Sequence, residues 1–175
     1  MKIGVVGLGF VGLSLTSVLS SKGYDTVGID INKDKCKKIN KGISPFFEPE
    51  LEKILKNGLK KKLKISNDFS LINNCDFLFV TVGTPQNTNG SIDLSIIKKA
   101  ISTIGESLKK NKKKPIIFVK STVTPGTMKK IILPILEKKS NKKAGKDFGL
   151  ISNPEFLQES SAIRDTKFPH VVVLG

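Results

Sequence analysis

The sequence predicts an α/β fold: one domain on a doubly wound, mainly parallel sheet with helices on both faces. Three observations predict it. Short apolar runs alternate with segments of helical period along the chain, the pattern of strands joined by crossover helices. The run 76–82 is almost continuously apolar, as a strand buried on both faces must be. The first apolar run leads into Gly7-x-Gly9-x-x-Gly12 and a helical pattern, and the next run ends in an acid, Asp30.

Residues 3–6 read as a buried strand, and residues 13–21 as a helix with Leu15, Val18 and Leu19 at helical spacing. Gly7 permits the tight turn off the strand. Gly9, with no side chain, leaves room for a pyrophosphate against the backbone, and Gly12 lets the helix lie close on the strand. The helix start offers unpaired N–H groups and the positive end of its dipole. Residues 26–29 form the second strand. A carboxylate at its tip, Asp30, accepts ribose hydroxyls and repels a 2′-phosphate, so the fold is Rossmann-type and the expected cofactor is NAD rather than NADP.

Residues 33–40 read as a short helix closed by Gly42. Residues 44–49 form a turn, with Pro49 suited to the first turn of a helix over 50–56 that stops at Gly58. Residues 63–66 make a short strand, and Asp68 caps a helical turn. The strand 76–82 runs into Gly83-Thr84-Pro85, at the carboxyl end where such sheets bind ligands, followed by a polar loop over 86–90. Asp93 starts a helix with Ile96, Ile97, Ala100, Ile101, Ile104 and Leu108 on one face. Pro115 opens a strand over 116–120, and Ser121-Thr122 follow it. A helix begins at or just before Thr127 and runs to Leu136. Strands are expected at 148–152 and 171–174.

The chain has 175 residues, 38% of them hydrophobic, enough for one core, with no apolar run as long as a membrane span. It starts on a strand rather than a charged leader, so no membrane association and a cytoplasmic location are expected. The net charge of +15 comes from lysines, since Arg164 is the only arginine, and they bunch at 60–64, 109–114 and 138–143. These clusters carry no interleaved aromatics, and one tyrosine and no tryptophan leave little for base stacking, so nucleic acid is not an expected partner. Cys36 and Cys75 stand in no C-x-x-C pairing and read as reduced, partly buried thiols. With His170 the only histidine, no metal site and no histidine-based triad is predicted.

Three strand-end loops converge: Gly83-Thr84-Pro85, Ser121-Thr122 and residues 153–159. Glu155 and Glu159 are four apart, on one side of a helix if that segment is helical, and two carboxylates beside a nicotinamide could take a proton or orient a hydroxyl. On spacing alone, Glu155 reads equally as a helix-start carboxylate, Glu159 as a surface residue, and Thr122 as a turn residue bonding its own backbone.

Taken together, residues 7–12, Asp30, Val82-Gly83-Thr84-Pro85, Ser121-Thr122-Val123-x-Pro125-Gly126-Thr127 and Asn153-Pro154-Glu155-Phe156-Leu157-x-Glu159 resemble the UDP-glucose/GDP-mannose 6-dehydrogenase family over essentially the whole chain. The resemblance assigns to NAD the residues Gly7, Gly9, Phe10, Val11, Gly12, Asp30, Lys35, Val82, Gly83, Thr84, Pro85, Ser121, Thr122 and Glu159. Lys35 stands where the family often carries a basic residue near the adenosine. Glu155 matches a glutamate with a general acid/base role, with Thr122 and Glu159 beside it, and residues Glu155, Phe156, Leu157, Gln158 and Glu159 match the strip that contacts the nucleotide sugar.

The implied reaction oxidises a C6 alcohol to a carboxylate with two NAD, by way of a cysteine thioester. In the family the nucleophile and its lysine and asparagine helpers come from later segments, and neither Cys36 nor Cys75 matches the nucleophile's glycine-rich setting. The chain is therefore expected to be the NAD-binding domain, residues 1–175, of a longer enzyme that is a homodimer and acts on UDP-glucose or GDP-mannose. UDP-glucose is preferred here as the commoner activity, although the segments at 142–149 and 161–169 have a GDP-mannose-like character. A UDP-N-acetylhexosamine enzyme and a stand-alone NAD-binding or sensing module without catalysis are the alternatives.

Overall fold

A computed structural model describes residues Met1 to Gly175. Six strands form one sheet in the order β3-β2-β1-β4-β5-β6, every neighbouring pair parallel. They are β1 (Lys2–Val6), β2 (Asp25–Ile29), β3 (Leu63–Ser66), β4 (Phe77–Val80), β5 (Ile116–Val119) and β6 (Gly149–Ser152). The helices are α1 (Phe10–Ser21), α2 (Lys33–Asn40), α3 (Leu51–Leu59), α4 (Ser95–Lys110), α5 (Leu133–Ser140) and α6 (Ala162–Lys167). The chain winds outward through β2 and β3, then returns to β4 on the other side of β1. Strand order thus reverses between β1 and β4, and a crevice opens at their carboxyl ends.

Two cores cover the two faces. One packs Val6, Val80 and Ile117 under Ile97, Ile101, Ile104 and Leu108 of α4 and Leu136 of α5. The other packs Leu13 and Val18 of α1 against Leu51 and Leu55 of α3, with Ile39 and Ile163. The doubly wound expectation is met, and the sheet is wholly parallel.

Several local readings need correction. Residues 171–174 do not form a strand: beside β6 only Gly175 pairs with Ser152, at 2.7 and 2.9 Å, and the valines and Leu174 stay half-exposed. Their β propensity has no full ladder to satisfy. Pro49 lies outside α3, because Glu50 is left-handed (φ 62°) and the helix opens at Leu51. Gly58 lies inside α3 rather than ending it; a Cβ there would come within 2.6 Å of the Ser20 hydroxyl, so its absence lets α1 and α3 approach. The helix after Gly126 runs beyond Leu136 to Ser140, through a π-helical turn at Met128–Ile132. Pro134 explains the turn: it has no N–H, and its ring would strike the carbonyl four residues back in a regular helix. Residues 153–159 are not helical, so Glu155 and Glu159 do not share a helix face. Pro154 disfavours helical backbone before it, and Glu155 folds back to accept the Leu157 amide at 2.6 Å. Helix α6 has no counterpart among the expected elements.

Candidate functional site

The crevice starts at the glycine turn. Gly7 has φ 99°, and a Cβ there would come within 2.9 Å of the Thr81 carbonyl, so the turn needs glycine on both counts. Thr81 holds it from β4's end, its hydroxyl donating to the Gly7 carbonyl at 2.7 Å. Helix α1 begins at Phe10, earlier than its apolar spacing suggests, so the amides of Phe10, Val11 and Gly12 make no bond within the helix and are free for an anion. Gly9 has nothing within 4 Å of a Cβ position, an open approach to those amides.

Asp30 is buried at the tip of β2. Its Oδ2 accepts the Leu8 amide at 2.9 Å and the Lys35 ammonium at 2.7 Å, and its Oδ1 accepts the Asn32 amide at 2.9 Å. Burial pushes its pKa up, but Lys35 and the two amides outweigh burial and hold it below the usual carboxylate value. Lys35 is placed by the Asn32 cap of α2, whose side chain accepts the Lys35 amide at 2.9 Å. A cleft of about 420 Å³ joins Gly7, Gly9, Asp30, Lys35, Val82 and Gly83.

A second cleft of about 250 Å³ continues from it, lined by Gly9, Phe10, Val11, Gly83, Thr84, Ser121, Thr122 and Glu155. The strand-end loops here are tied together by hydroxyls: Thr84 donates to the Thr122 carbonyl at 2.8 Å, and Ser121 to the Val82 carbonyl at 2.7 Å. Thr122 lines this cleft, its backbone carbonyl taken by Thr84. Together the clefts offer an acid at one end, free amides in the middle, and a hydroxyl and carboxylate at the other.

The family model described as the UDP-glucose/GDP-mannose dehydrogenase family, NAD binding domain, matches residues 1–175. The chain belongs to this family. GDP-mannose 6-dehydrogenase of Pseudomonas syringae pv. tomato is 44% identical over all of this chain and 40% of its own length. The crystal structure of a ternary complex of GDP-mannose dehydrogenase from Pseudomonas aeruginosa superposes with a TM-score of 0.97 at 40% identity, over all of this chain and 41% of that one. The UDP-glucose dehydrogenase structure from Pyrobaculum islandicum gives 0.92 at 31% identity, over 99% of this chain and 40% of that one. The chain thus spans about two fifths of the relatives it matches.

This NAD-binding domain fits its cofactor on its own geometry: a turn free of side chains, unpaired amides at a helix start, and an ionised acid one strand away. The structure does not bring every residue assigned from sequence to the crevice. Pro85 stands outside the lining, its carbonyl accepting the Asp93 amide at 2.7 Å. Phe156, Gln158 and Glu159 are exposed on the loop beyond Glu155, with Leu157 half-buried between them. Other lining residues had no clear sequence signal. Ile96, read as sharing one helix face with Ile97, Ala100, Ile101, Ile104 and Leu108, is 44% exposed and lines the cleft with Lys99 and Thr103 of α4 and with Phe69. Lys120 lines the inner end beside Glu155. A lysine that ends a central strand, rather than one in a cluster, was the available signal.

Proposed function

We propose that this chain is the cofactor-binding part of a nucleotide-sugar 6-dehydrogenase and that its sugar nucleotide is GDP-mannose. The observation that carries the enzyme class is the placing of Glu155 and Thr122 in the same cleft as the free amides of α1. A domain that only stores or senses NAD has no use for a carboxylate at the nicotinamide end. The preference for GDP-mannose over UDP-glucose rests on the relatives: those named for GDP-mannose are 40–44% identical, and those named for UDP-glucose are 31–33% identical. It replaces the UDP-glucose preference drawn from the sequence.

In this reading Asp30 holds the adenosine ribose, the α1 amides hold the pyrophosphate, and Glu155 moves or orients a proton at the C6 oxygen as hydride leaves. NAD supplies the hydride acceptor when bound. The strip from Phe156 to Glu159 contacts the sugar nucleotide. The chain alone does not complete the oxidation. A thioester route needs a thiolate, and burial pushes the Cys75 thiol to about 11 and raises Cys36 as well, with both side chains inside the core. The larger enzyme is a homodimer in this reading.

The test has two parts. NADH fluorescence titration of the 175-residue chain should show saturable binding. Steady NADH production from a nucleotide sugar by the same chain would overturn the reading. For the complete enzyme, GDP-mannose should be oxidised with a higher kcat/KM than UDP-glucose, and the reverse order would return the assignment to UDP-glucose.

A further inference from the structure

Lys120 directly follows β5 and faces the inner cleft with Gly83, Thr122 and Glu155. Its ammonium is held by one residue, Asn153, through the side-chain oxygen at 3.2 Å and the backbone oxygen at 3.4 Å. Asn153 is itself fixed. Its backbone amide donates to Val119 at 2.9 Å, and its side-chain NH₂ donates to the Val173 carbonyl at 2.9 Å. The side-chain oxygen is therefore the atom turned to Lys120. An ammonium has three donors, so one remains for the cleft. None of the chain's ion pairs includes Lys120. Burial pushes its pKa down, and the charge of Glu155 pulls it partly back.

We propose that Lys120 sets this domain's preference between the two redox forms of its cofactor, its tethered positive charge weakening the hold on the oxidised form relative to the reduced form while Glu155 acts in the opposite sense. This rests on reading the cleft as the NAD site with the nicotinamide at its Glu155 end. The two rings have nearly the same shape, but the oxidised ring carries a positive charge that hydride transfer removes. Shape cannot separate them, and a fixed charge in a partly desolvated wall can. The same charge favours hydride acceptance, because repulsion present before the transfer is relieved after it.

The experiment measures dissociation constants of NAD⁺ and NADH for this chain and for Lys120→Met, Lys120→Arg and Glu155→Gln near neutral pH. Lys120→Met should raise NAD⁺ affinity relative to NADH by about three- to tenfold, the size expected for one partly screened charge. Lys120→Arg, which keeps the charge and changes the shape, should hold the wild-type ratio within about twofold. Glu155→Gln should shift the ratio the other way. An unchanged ratio in Lys120→Met overturns the proposal, as does an equal shift in the Met and Arg variants, which would mark packing rather than charge. A wild-type chain that binds neither form is a distinct result: it removes the NAD site itself, and the proposal falls with it.

Discussion

The Lys35 ammonium lies 2.7 Å from Asp30 Oδ2, so the acid at the end of β2 is already paired. With the Leu8 and Asn32 amides it has three donors, and a carboxylate accommodates about four. In the proposed reading an adenosine ribose takes the remaining position or displaces Lys35. Asp30→Ala should therefore lower NADH affinity about ten- to a hundredfold, the value of hydrogen bonds to a charged group. It should also admit NADPH, because Lys35 and Lys99 stay on the cleft wall and the repelling carboxylate is gone. Parallel titrations with both cofactors check this, and an unchanged preference would remove Asp30 from the site.

The same ion pair links stability to pH. The folded-state pKa of Asp30 is below 3.8, its ordinary value, because Lys35 and the amides outweigh burial. Between the two values the unfolded chain binds more protons, so stability falls as pH falls. The contribution is complete above the ordinary value and lost as pH drops through the folded one. Urea unfolding of wild type and Asp30→Asn should show a gap at about pH 6 that narrows toward about pH 3. A constant gap would mean that the carboxylate's charge does not matter.

The glycine fingerprint, Asp30 and the strand-end loops were legible because each is a local pattern with a mechanical reason. The 153–159 loop was not. Whether Glu155 and Glu159 share a face depends on the backbone, and there Pro154 and the Glu155–Leu157 bond override the four-residue spacing. Ile96 misled for a related reason: helical periodicity shows which residues share a side, not where the sheet beneath ends. Lys120 was hidden among many lysines, set apart in the sequence only by its place at the end of a central strand.

Two glycines of one motif should fail differently. A methyl on Gly12 would overlap the Gly7 carbonyl oxygen and come within 2.5 Å of the Thr81 hydroxyl, both parts of the turn itself. Gly12→Ala should cost about 3 kcal/mol and lower Tm by roughly 6–12 °C. Gly9 meets nothing within 4 Å, and its φ of −77° suits any residue. Gly9→Ala should melt like wild type yet bind NADH about ten- to a hundredfold more weakly, its methyl standing between phosphate and amides. Equal melting of the two variants would contradict this division of roles.

Glu48 is 5% exposed and joins two loops far apart in sequence. Its Oε2 accepts the Ser160 amide at 3.0 Å, while its Oε1 is buried with no partner. Ser160 is left-handed (φ 69°), so that amide is aimed at Glu48 by the turn ending the 153–159 loop. The Glu48 loop also bears Phe46, whose ring lies 5.3 Å from that of Phe10 at the start of α1. Glu48→Ala should leave the amide unpaired and cost about 1–3 kcal/mol. Glu48→Gln keeps an acceptor oxygen and removes a charge that burial penalises, so it should melt at or above wild type. Hydrogen exchange at the Ser160 amide should be fast in the Ala variant and slow in the Gln variant. If the Gln variant instead melts as low as the Ala variant, the ionised carboxylate itself is required.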